Sequence, residues 1–291
     1  MPQTITVAAA QIDPKLFDKE RNLGKIKDYA RKAKKQGADL VVFPEAALTG
    51  YCFQSLDEAM PYAESVPGPS TEALAALCRE LGLHIVVGML ELADLGLYNA
   101  AALIGPSGVV ACYRKTHLPY LGIDRFAAYG PGPLAVHKTP VGNLGLHICY
   151  DLTFPEVART MALQGADILC LSTNWPEGRE KMPAYVVHAR ALENRVHYVA
   201  CDRVGEERGF RFIGRSKIVS ATGDLLAEAS PDHEELIVAK VDLDVARNKH
   251  IVYKPREFES QLFGDRRVEL YGVIAREEAM AGAVNNRGQR R

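Results

Sequence analysis

The sequence lacks an excess of charge of either sign. Its 291 residues hold 35 Lys and Arg against 36 Asp and Glu, which leaves a net charge of −1 at pH 7 with neutral His. Nucleic-acid-binding proteins usually carry a strong basic excess, so this balance argues against that class. Apolar residues make up 47% of the chain, enough to bury a sizeable core and to exclude intrinsic disorder.

Long hydrophobic runs are missing as well. No apolar stretch approaches the ~18–20 residues needed to span a bilayer. The first residues show no basic segment followed by an apolar stretch and a small-residue cleavage site. These absences predict a cytoplasmic protein that does not contact membranes.

Paired cysteine and histidine motifs are also absent. The six cysteines lie far apart with no C-x-x-C pair, and the eight histidines show no H-x-x-x-H spacing. This usage excludes a disulfide framework and disfavours a metal site. Neither G-x-G-x-x-G nor G-x-x-x-x-G-K-[ST] occurs, so the usual marks of nucleotide binding are missing. We expect neither a metal nor a cofactor.

What the sequence does contain is an alternation of short β-rich runs and helical patterns. Helices are predicted over residues 19–36, from an N-cap at Ser70, over 154–164 and at 185–194. Strands are predicted at residues 5–12, 40–43, 84–89, 100–104, 109–113, 144–148, 168–171, 198–202, 216–220, 225–229 and 236–241, the last clear strand. Turn sequences at 105–108 and 221–224 predict hairpins. The pattern indicates one α/β domain with mixed strand pairing.

Three predicted strands are followed by a reactive side chain. Glu45 follows the strand at 40–43, Lys115 the strand at 109–113, and Cys149 the strand at 144–148. Each alone is more often a solvated or packing residue. Together they form a complete set for acyl transfer, because sites in α/β sheets lie beyond the carboxyl ends of strands. Cys149 would attack a carbonyl or nitrile carbon, Glu45 would be general base and then acid, and Lys115 would stabilise the oxyanion.

These segments resemble the Glu, Lys and Cys motifs of the nitrilase superfamily of carbon–nitrogen hydrolases, in the same order. The similarity extends over residues 4–270 and includes AAAQ at 8–11, ARALEN at 189–194, DRVG at 202–205 and FIGRS at 212–216. The resemblance implies a four-layer α-β-β-α sandwich with mixed sheets. It also implies association through the helical face into a homodimer or a larger homo-oligomer. We expect a hydrolase domain over residues 1–275 and a flexible basic tail over 276–291.

The resemblance also implies a second Glu shortly after the Lys motif. Asp124 is the nearest carboxylate here, and its shorter side chain either takes that positioning role or belongs to an ordinary loop. The backbone N–H of Tyr150 is the expected second oxyanion donor. Candidates for the substrate pocket are Tyr51, Tyr120, Asn174 and Trp175, which are otherwise core or interface residues. Arg203 and Arg208 are possible carboxylate anchors but are expected to be solvated loop residues.

The predicted function is hydrolysis of the C–N bond of a small amide through a Cys thioester. Nitrile hydrolysis and hydrolysis of N-carbamoyl amines are the alternatives, because the same three residues serve each. A Cys–His hydrolase using His117 or His147 is disfavoured, since His147 is too near Cys149 in the chain and His117 better fits a structural hydrogen bond. A binding protein without activity is the alternative outside enzymes.

Overall fold

The computed structural model describes residues 3–93 and 95–276. Its strands are β1 (Thr4–Gln11), β2 (Leu40–Val42), β3 (His84–Ala93), β4 (Gly96–Gly105), β5 (Gly108–Arg114), β6 (Val136–Thr139), β7 (Gly142–Ile148), β8 (Ile168–Ser172), β9 (His197–Cys201), β10 (Glu206–Glu207), β11 (Phe210–Arg211), β12 (Lys217–Val219), β13 (Leu225–Glu228), β14 (Glu235–Asp242), β15 (His250–Lys254) and β16 (Phe258–Gln261).

The helices are fewer and mostly short. They are α1 (Lys19–Lys35), α2 (Leu56–Ala59), α3 (Pro69–Leu81), α4 (Pro155–Leu163), α5 (Val187–Asn194) and α6 (Leu243–Arg247). Tighter 3₁₀ turns occupy Met60–Tyr62, Gly122–Arg125, Cys149–Thr153, Val268–Leu270 and Gly272–Ala275, and a π-helical turn at Met182–Val186 leads into α5.

Two six-stranded sheets face each other. Their strand orders are β14-β1-β2-β3-β4-β5 and β13-β12-β9-β8-β7-β6. The strands β1, β2 and β3 are parallel to one another, as are β7, β8 and β9, and the remaining pairs are antiparallel. The sheets meet where β1 packs on β9, β2 on β8 and β4 on β7. Both predicted hairpins, β4–β5 and β12–β13, are confirmed.

Helices cover the outer face of each sheet. The side chains of Ile26 on α1 and Leu74 on α3 share a core with Ile85 and Val87 of β3. Val86 between them is equally buried but lies outside this core, and β3 also contacts β8 of the second sheet. This alternation places successive strand residues on opposite faces, both of them covered. Helix α5 packs on β9 and β12, and α4 packs on α5. The four-layer α-β-β-α sandwich is therefore confirmed.

The chain folds into two compact units. The first, which holds both sheets, runs to Asn248, and the second begins at Lys249. Within the second unit, β15 and β16 form an antiparallel hairpin, so the prediction that β14 is the last strand was wrong. The predicted tail at 276–291 lies outside the described residues except for Arg276, and the boundary of the domain at 275 stays a prediction. Among the described residues, no helix is both long and apolar enough to cross a membrane.

One helix start differs from its prediction. Helix α3 begins at Pro69 with Gly68 as N-cap, so the predicted N-cap role of Ser70 was wrong. The backbone N–H and hydroxyl of Ser70 instead donate to the buried Glu64 carboxylate, each at 2.8 Å. Thr71 Oγ1 accepts from the N–H of Gly68 at 2.8 Å and completes the cap. Ser70 is thus the second residue of the helix, and a carboxylate six residues before it binds its hydroxyl.

Candidate active site

The fold brings the three predicted reactive residues to neighbouring strand ends. Glu45 follows β2, Lys115 immediately follows β5, and Cys149 immediately follows β7. Residues of the second sheet and its loops bind the backbone leading to Glu45. Ser172 donates its hydroxyl to the Phe43 carbonyl at 2.8 Å, and Asn174 donates its amide to the Glu45 carbonyl at 2.9 Å. The two sheets together therefore build one buried cluster.

Gly88 on β3 leaves the space in which the Glu45 segment lies. A Cβ at this glycine would stand 2.3 Å from the Pro44 carbonyl oxygen, 2.4 Å from the Ala46 nitrogen and 2.6 Å from the α-carbon of Glu45. Such distances are far below van der Waals contact. The close approach of the two backbones therefore requires glycine at this position.

Lys115 lies between two carboxylates and is itself fully buried. Its Nζ donates to Glu45 Oε1 at 2.6 Å and to Asp124 Oδ2 at 2.5 Å. Although burial opposes the charge, the carboxylates of Asp124 and Glu45 raise the pKa of Lys115 above its ordinary value. Lys115 therefore stays an ammonium at neutral pH, with three protons of which two are engaged.

Asp124 belongs to the cluster, in the 3₁₀ turn Gly122–Arg125. Besides Lys115, its carboxylate accepts from the Tyr51 hydroxyl at 2.8 Å and from the Asn99 amide at 2.8 Å. Burial and the nearby Asp124 carboxylate raise the pKa of Tyr51 well above its ordinary value, so the phenol remains a donor. The structure therefore places Asp124 beside Lys115, rather than in a solvated loop.

Asn99 is a member of the cluster that the sequence analysis missed. Its Nδ2 donates to Glu45 Oε1 at 2.7 Å and to Asp124 Oδ1 at 2.8 Å, so it bridges both carboxylates. It lies in the middle of β4, in a run of apolar residues. A single amide inside an apolar strand is the signal that predicts such a buried role, because buried polar groups need partners.

Glu45 presents its two oxygens differently. Oε1 accepts from Lys115 and Asn99, whereas Oε2 has no hydrogen-bond partner among the residues that the structure describes. Burial raises the pKa of Glu45, an effect that the Lys115 ammonium opposes and the Asp124 carboxylate reinforces. A carboxylate with one fixed oxygen, one open oxygen and a raised pKa is suited to exchanging a proton.

Cys149 begins the 3₁₀ turn Cys149–Thr153 in a left-handed conformation, with φ of +44°. Such a conformation is rare for a residue with a side chain and recurs at active sites. Burial and the Glu45 carboxylate raise the pKa of the Cys149 thiol, while the Lys115 ammonium and the backbone N–H of Asn174 favour the thiolate. The resting sulfur is therefore a thiol that needs a base to become a nucleophile.

Asp151 connects the Cys149 turn to the segment that carries Lys115. Its Oδ2 accepts from the Ile148 N–H at 2.9 Å and the Tyr113 hydroxyl at 2.8 Å, and its Oδ1 lies 2.7 Å from His117 Nδ1. Burial would raise the pKa of Asp151, but the hydrogen bonds from His117 and Ile148 outweigh it and lower the pKa. His117 thus has the structural role expected of it.

Replacing Asp151 with Asn is expected to lower the free energy of unfolding by about 2–4 kcal/mol at pH 7, because an amide leaves buried donors without an acceptor. A lowered pKa stabilises the fold above the ordinary aspartate pKa of about 3.9. The difference from wild type should therefore shrink as the pH falls below that value. Urea unfolding at several pH values measures it, and Asp244→Asn, at an exposed side chain, is the control. An equal difference at every pH would contradict this account.

His147 is buried and faces Tyr198 rather than the cluster. Its Nε2 lies 2.6 Å from the Tyr198 hydroxyl, and burial lowers the pKa of His147 to about 4. Neutral at physiological pH and engaged by a phenol, it does not fit the role of the base of a Cys–His pair. This supports the expectation that it is a core residue.

The other predicted pocket residues lie at different depths. Asn174 and Trp175 are buried just after β8, and the backbone N–H of Trp175 donates to Asp202 Oδ1 at 2.8 Å. Asn174 Oδ1 and Trp175 Nε1 have no hydrogen-bond partner among the described residues. Tyr120, by contrast, is 69% exposed, and the Tyr150 ring packs edge-to-face on Phe154. The substrate-binding roles of these residues and the oxyanion role of the Tyr150 N–H stay predictions.

A cavity of about 490 Å³ adjoins the Tyr51–Asp124 side of the cluster. It is lined by Cys52, Phe53, Gln54, Tyr120, Leu121, Gly122, Arg125, Arg208 and Phe210. The Leu121 carbonyl in its wall accepts from the Tyr51 hydroxyl at 3.1 Å. Among residues 3–93 and 95–276, no group of three or more His, Cys, Asp or Glu side chains is arranged to hold a metal ion. All six cysteines are free.

Arg203 differs from its prediction as a solvated residue. It is buried, and its guanidinium donates to Glu207 Oε2 at 2.6 Å and to Asp13 Oδ1 at 2.9 Å. Arg208 is partly exposed and binds the carboxylate of Glu58 through both terminal nitrogens. The acidic partners that bury Arg203 include one 190 residues away, which the local sequence does not reveal.

A buried Glu, Lys and Cys at strand ends of a four-layer α-β-β-α sandwich define a class, the cysteine-dependent hydrolases of carbon–nitrogen bonds. A sequence comparison agrees: the family described as carbon-nitrogen hydrolase matches residues 6–250. The chain therefore belongs to the carbon–nitrogen hydrolase family, and the resemblance to the nitrilase superfamily is confirmed.

Relatives of different named activities match nearly the whole chain. A nitrilase of Pyrococcus abyssi is 40% identical over 272 residues, covering 92% of this chain and 99% of the relative. An N-carbamoylputrescine amidase of Solanum lycopersicum is 32% identical, covering 93% and 94% of the two chains. The crystal structure of an amidase from Nesterenkonia sp. superimposes with a TM-score of 0.75 at 25% identity, over 93% of this chain and 95% of that one. The family is common to all three, and the named activities differ.

Proposed function

We propose that the protein hydrolyses the C–N bond of a small amide through a thioester on Cys149. The observation that carries this proposal is that the two oxygens of the Glu45 carboxylate differ in their hydrogen bonds. Oε1 is held by Lys115 and Asn99, and Oε2 is open within the described part of the chain. A base held by one oxygen is oriented, and the other oxygen is available for the thiol proton.

In the first half-reaction the Cys149 sulfur attacks the amide carbon while Glu45 takes the thiol proton. The third proton of the Lys115 ammonium and the N–H of Tyr150 donate to the developing oxyanion, where each such donor is typically worth about 10²–10³ in rate. The tetrahedral intermediate then expels the amine or ammonia, which receives the proton from Glu45. The sulfur is left as a thioester.

In the second half-reaction Glu45 acts on water. It accepts a proton as the water oxygen attacks the thioester carbon, and the same oxyanion donors serve again. Collapse of the intermediate breaks the C–S bond, and the proton returns from Glu45 to the Cys149 sulfur. The acid product leaves, and the enzyme regains its starting protonation state.

Two other substrate classes also present an electrophilic carbon bonded to nitrogen, which the Cys149 sulfur could attack. A nitrile would give a thioimidate that water converts to acid and ammonia, and the 40% identical relative is named a nitrilase. An N-carbamoyl amine would give a carbamoyl thioester, and another relative is named an N-carbamoylputrescine amidase. We favour amides because the solved structure that matches 93% of this chain at 25% identity is that of an amidase.

A matched panel tests this proposal. Each acyl group is offered as its primary amide and its nitrile, with N-carbamoyl amines of similar size as a third set, and both ammonia and the acid product are measured. We expect the amides to give the highest kcat/KM. A faster nitrile or carbamoyl set would transfer the assignment to that class, and no turnover across the panel would contradict the proposed hydrolysis of small amides.

A further inference from the structure

Glu207 lies outside the cluster and binds the backbone of the loop that carries Tyr51. The residue is buried at the end of β10. Its Oε1 accepts from two successive backbone N–H groups, that of Tyr51 at 2.8 Å and that of Cys52 at 2.6 Å. One carboxylate oxygen therefore fixes the place where the Tyr51 side chain leaves the main chain.

The other oxygen of Glu207 is fixed by Arg203. Arg203 Nη1 donates to Glu207 Oε2 at 2.6 Å, and its Nη2 donates to Asp13 Oδ1 at 2.9 Å and to the Pro14 carbonyl at 3.0 Å. The Arg203 guanidinium also lies 4.4 Å from the centre of the Phe212 ring. Because this guanidinium is anchored to a separate segment, the Glu207 carboxylate has little freedom to move.

Leu16 packs closely against the loop that carries Tyr51 and leaves it little room to move. Gly50, directly before Tyr51, has φ of +80°, and a Cβ there would lie 2.6 Å from the α-carbon of Leu16 and 3.1 Å from Glu207 Oε2. The loop backbone is thus pressed between Leu16 and Glu207. Its close packing makes the position of Tyr51 depend on the Glu207 carboxylate.

We propose that Glu207 is a positioning residue for the reaction, acting on Lys115 through Tyr51 and Asp124. The Tyr51 hydroxyl donates to Asp124 Oδ2 at 2.8 Å, and the same oxygen accepts from Lys115 at 2.5 Å. Displacement of the phenol would remove one of the hydrogen bonds that orient the Asp124 carboxylate, and the ammonium bound to that carboxylate would shift relative to Glu45 and Cys149. The inference rests on the proposed function only in taking Cys149 as the reactive thiol.

Alkylation of Cys149 by iodoacetamide tests the inference without a substrate. The sulfur forms an S–C bond, iodide leaves and the thiol proton is taken up by the surroundings, so the rate reports on the cluster. We expect Glu207→Gln to lower the rate constant about tenfold, since displacements of an ångström cost up to about 10² in reaction rates. In a Tyr51→Phe background the same substitution should change the rate less than about twofold. The effects of two substitutions in one connected set of contacts do not add, because the first has already broken the connection.

The controls separate positioning from general stability. Glu58→Gln breaks a partly exposed ion pair with Arg208 near the same loop and should leave the rate unchanged. Mass spectrometry locates the label, and Cys149→Ala identifies labelling elsewhere. If Glu207→Gln does not fold, Glu207→Asp keeps the charge but withdraws the carboxylate by one methylene, and the same two-background comparison is made with it.

The alkylation rates and the substrate panel together decide on both proposals. A tenfold loss confined to the background with the Tyr51 hydroxyl supports the inference. No loss, or an equal loss in both backgrounds, overturns it even if amides are hydrolysed normally. If the panel of amides fails while the alkylation rates follow the expected pattern, the proposed substrate class is wrong and the positioning role stands. An unreactive Cys149 in the wild-type protein overturns both.

Discussion

Replacing Cys149 with Ala is expected to lower kcat/KM on the order of 10⁵-fold or more. Loss of a nucleophile removes the covalent route altogether, and the oxyanion donors alone sustain only a small residual rate. The backbone strain is unchanged by the substitution, because Ala carries the same Cβ at the φ of +44° that Cys149 adopts. The measurement is ammonia release from the best amide of the panel, with thermal unfolding as the test of folding.

Cys170 provides a matched control for this variant. It is a free, fully buried cysteine on β8, the strand that pairs with β7. Cys170→Ala also removes the sulfur of a buried free cysteine. Any cavity that it leaves should lower the stability of the fold but not the turnover. Normal hydrolysis by Cys149→Ala, or an equal loss in Cys170→Ala, would refute the assignment of the nucleophile.

Replacing Glu45 with Gln is expected to lower kcat/KM about 10²–10⁴-fold, the usual contribution of a general acid–base. The amide oxygen retains an acceptor for Lys115 and Asn99, but its nitrogen cannot take the thiol proton. Glu64→Gln is the matched control, because Glu64 is also a buried carboxylate paired with a lysine, Lys19 at 2.6 Å. Full activity in Glu45→Gln would exclude Glu45 as the base.

The pH profile gives a second measurement on the same pair of proteins. Burial raises the pKa of Glu45, with the Lys115 ammonium opposing and Asp124 reinforcing the rise. The base must be ionised for attack, so wild-type kcat/KM should fall as the pH drops through a value above the ordinary Glu pKa of about 4.3. The residual activity of Glu45→Gln should lack this acid limb, and an unchanged limb would assign the titration to another group.

The inner strands and their ends were the most predictable part of the molecule, because hydrophobic runs and glycine turns are local signals. The four layers were implied only by the resemblance to the nitrilase superfamily. The β4–β5 hairpin follows from Gly105 and Gly108, and the positions of Glu45, Lys115 and Cys149 follow from the ends of three apolar strands. The strands β6, β10, β11, β15 and β16 were missed. Apart from Glu207 in β10, their residues are half-buried or exposed, so their sequences lack the apolar pattern of the inner strands.

What could not be predicted depends on partners far apart in the chain. Asn99 meets Glu45 across 54 residues, Glu207 meets Tyr51 across 156, and Arg203 meets Asp13 across 190. The hydrogen-bonding potential of a polar residue can be read from its type, but its partner is decided by tertiary packing. The error at Ser70 has a different cause: the helix begins one residue earlier, at Pro69, and the hydroxyl is bound by Glu64, only six residues away.

The buried cluster also conserves its formal charge during the proposed reaction. One ammonium, of Lys115, stands between two carboxylates, of Glu45 and Asp124, and the sum is −1 before the substrate enters. Passing the thiol proton to Glu45 moves that charge to the sulfur, and later to the substrate oxygen, without adding to it. Since bringing an extra ion into a buried volume costs several kcal/mol, the reaction centre is adapted to uncharged reacting groups. Any charge on the remainder of a substrate must therefore lie where water or a counter-ion can reach it.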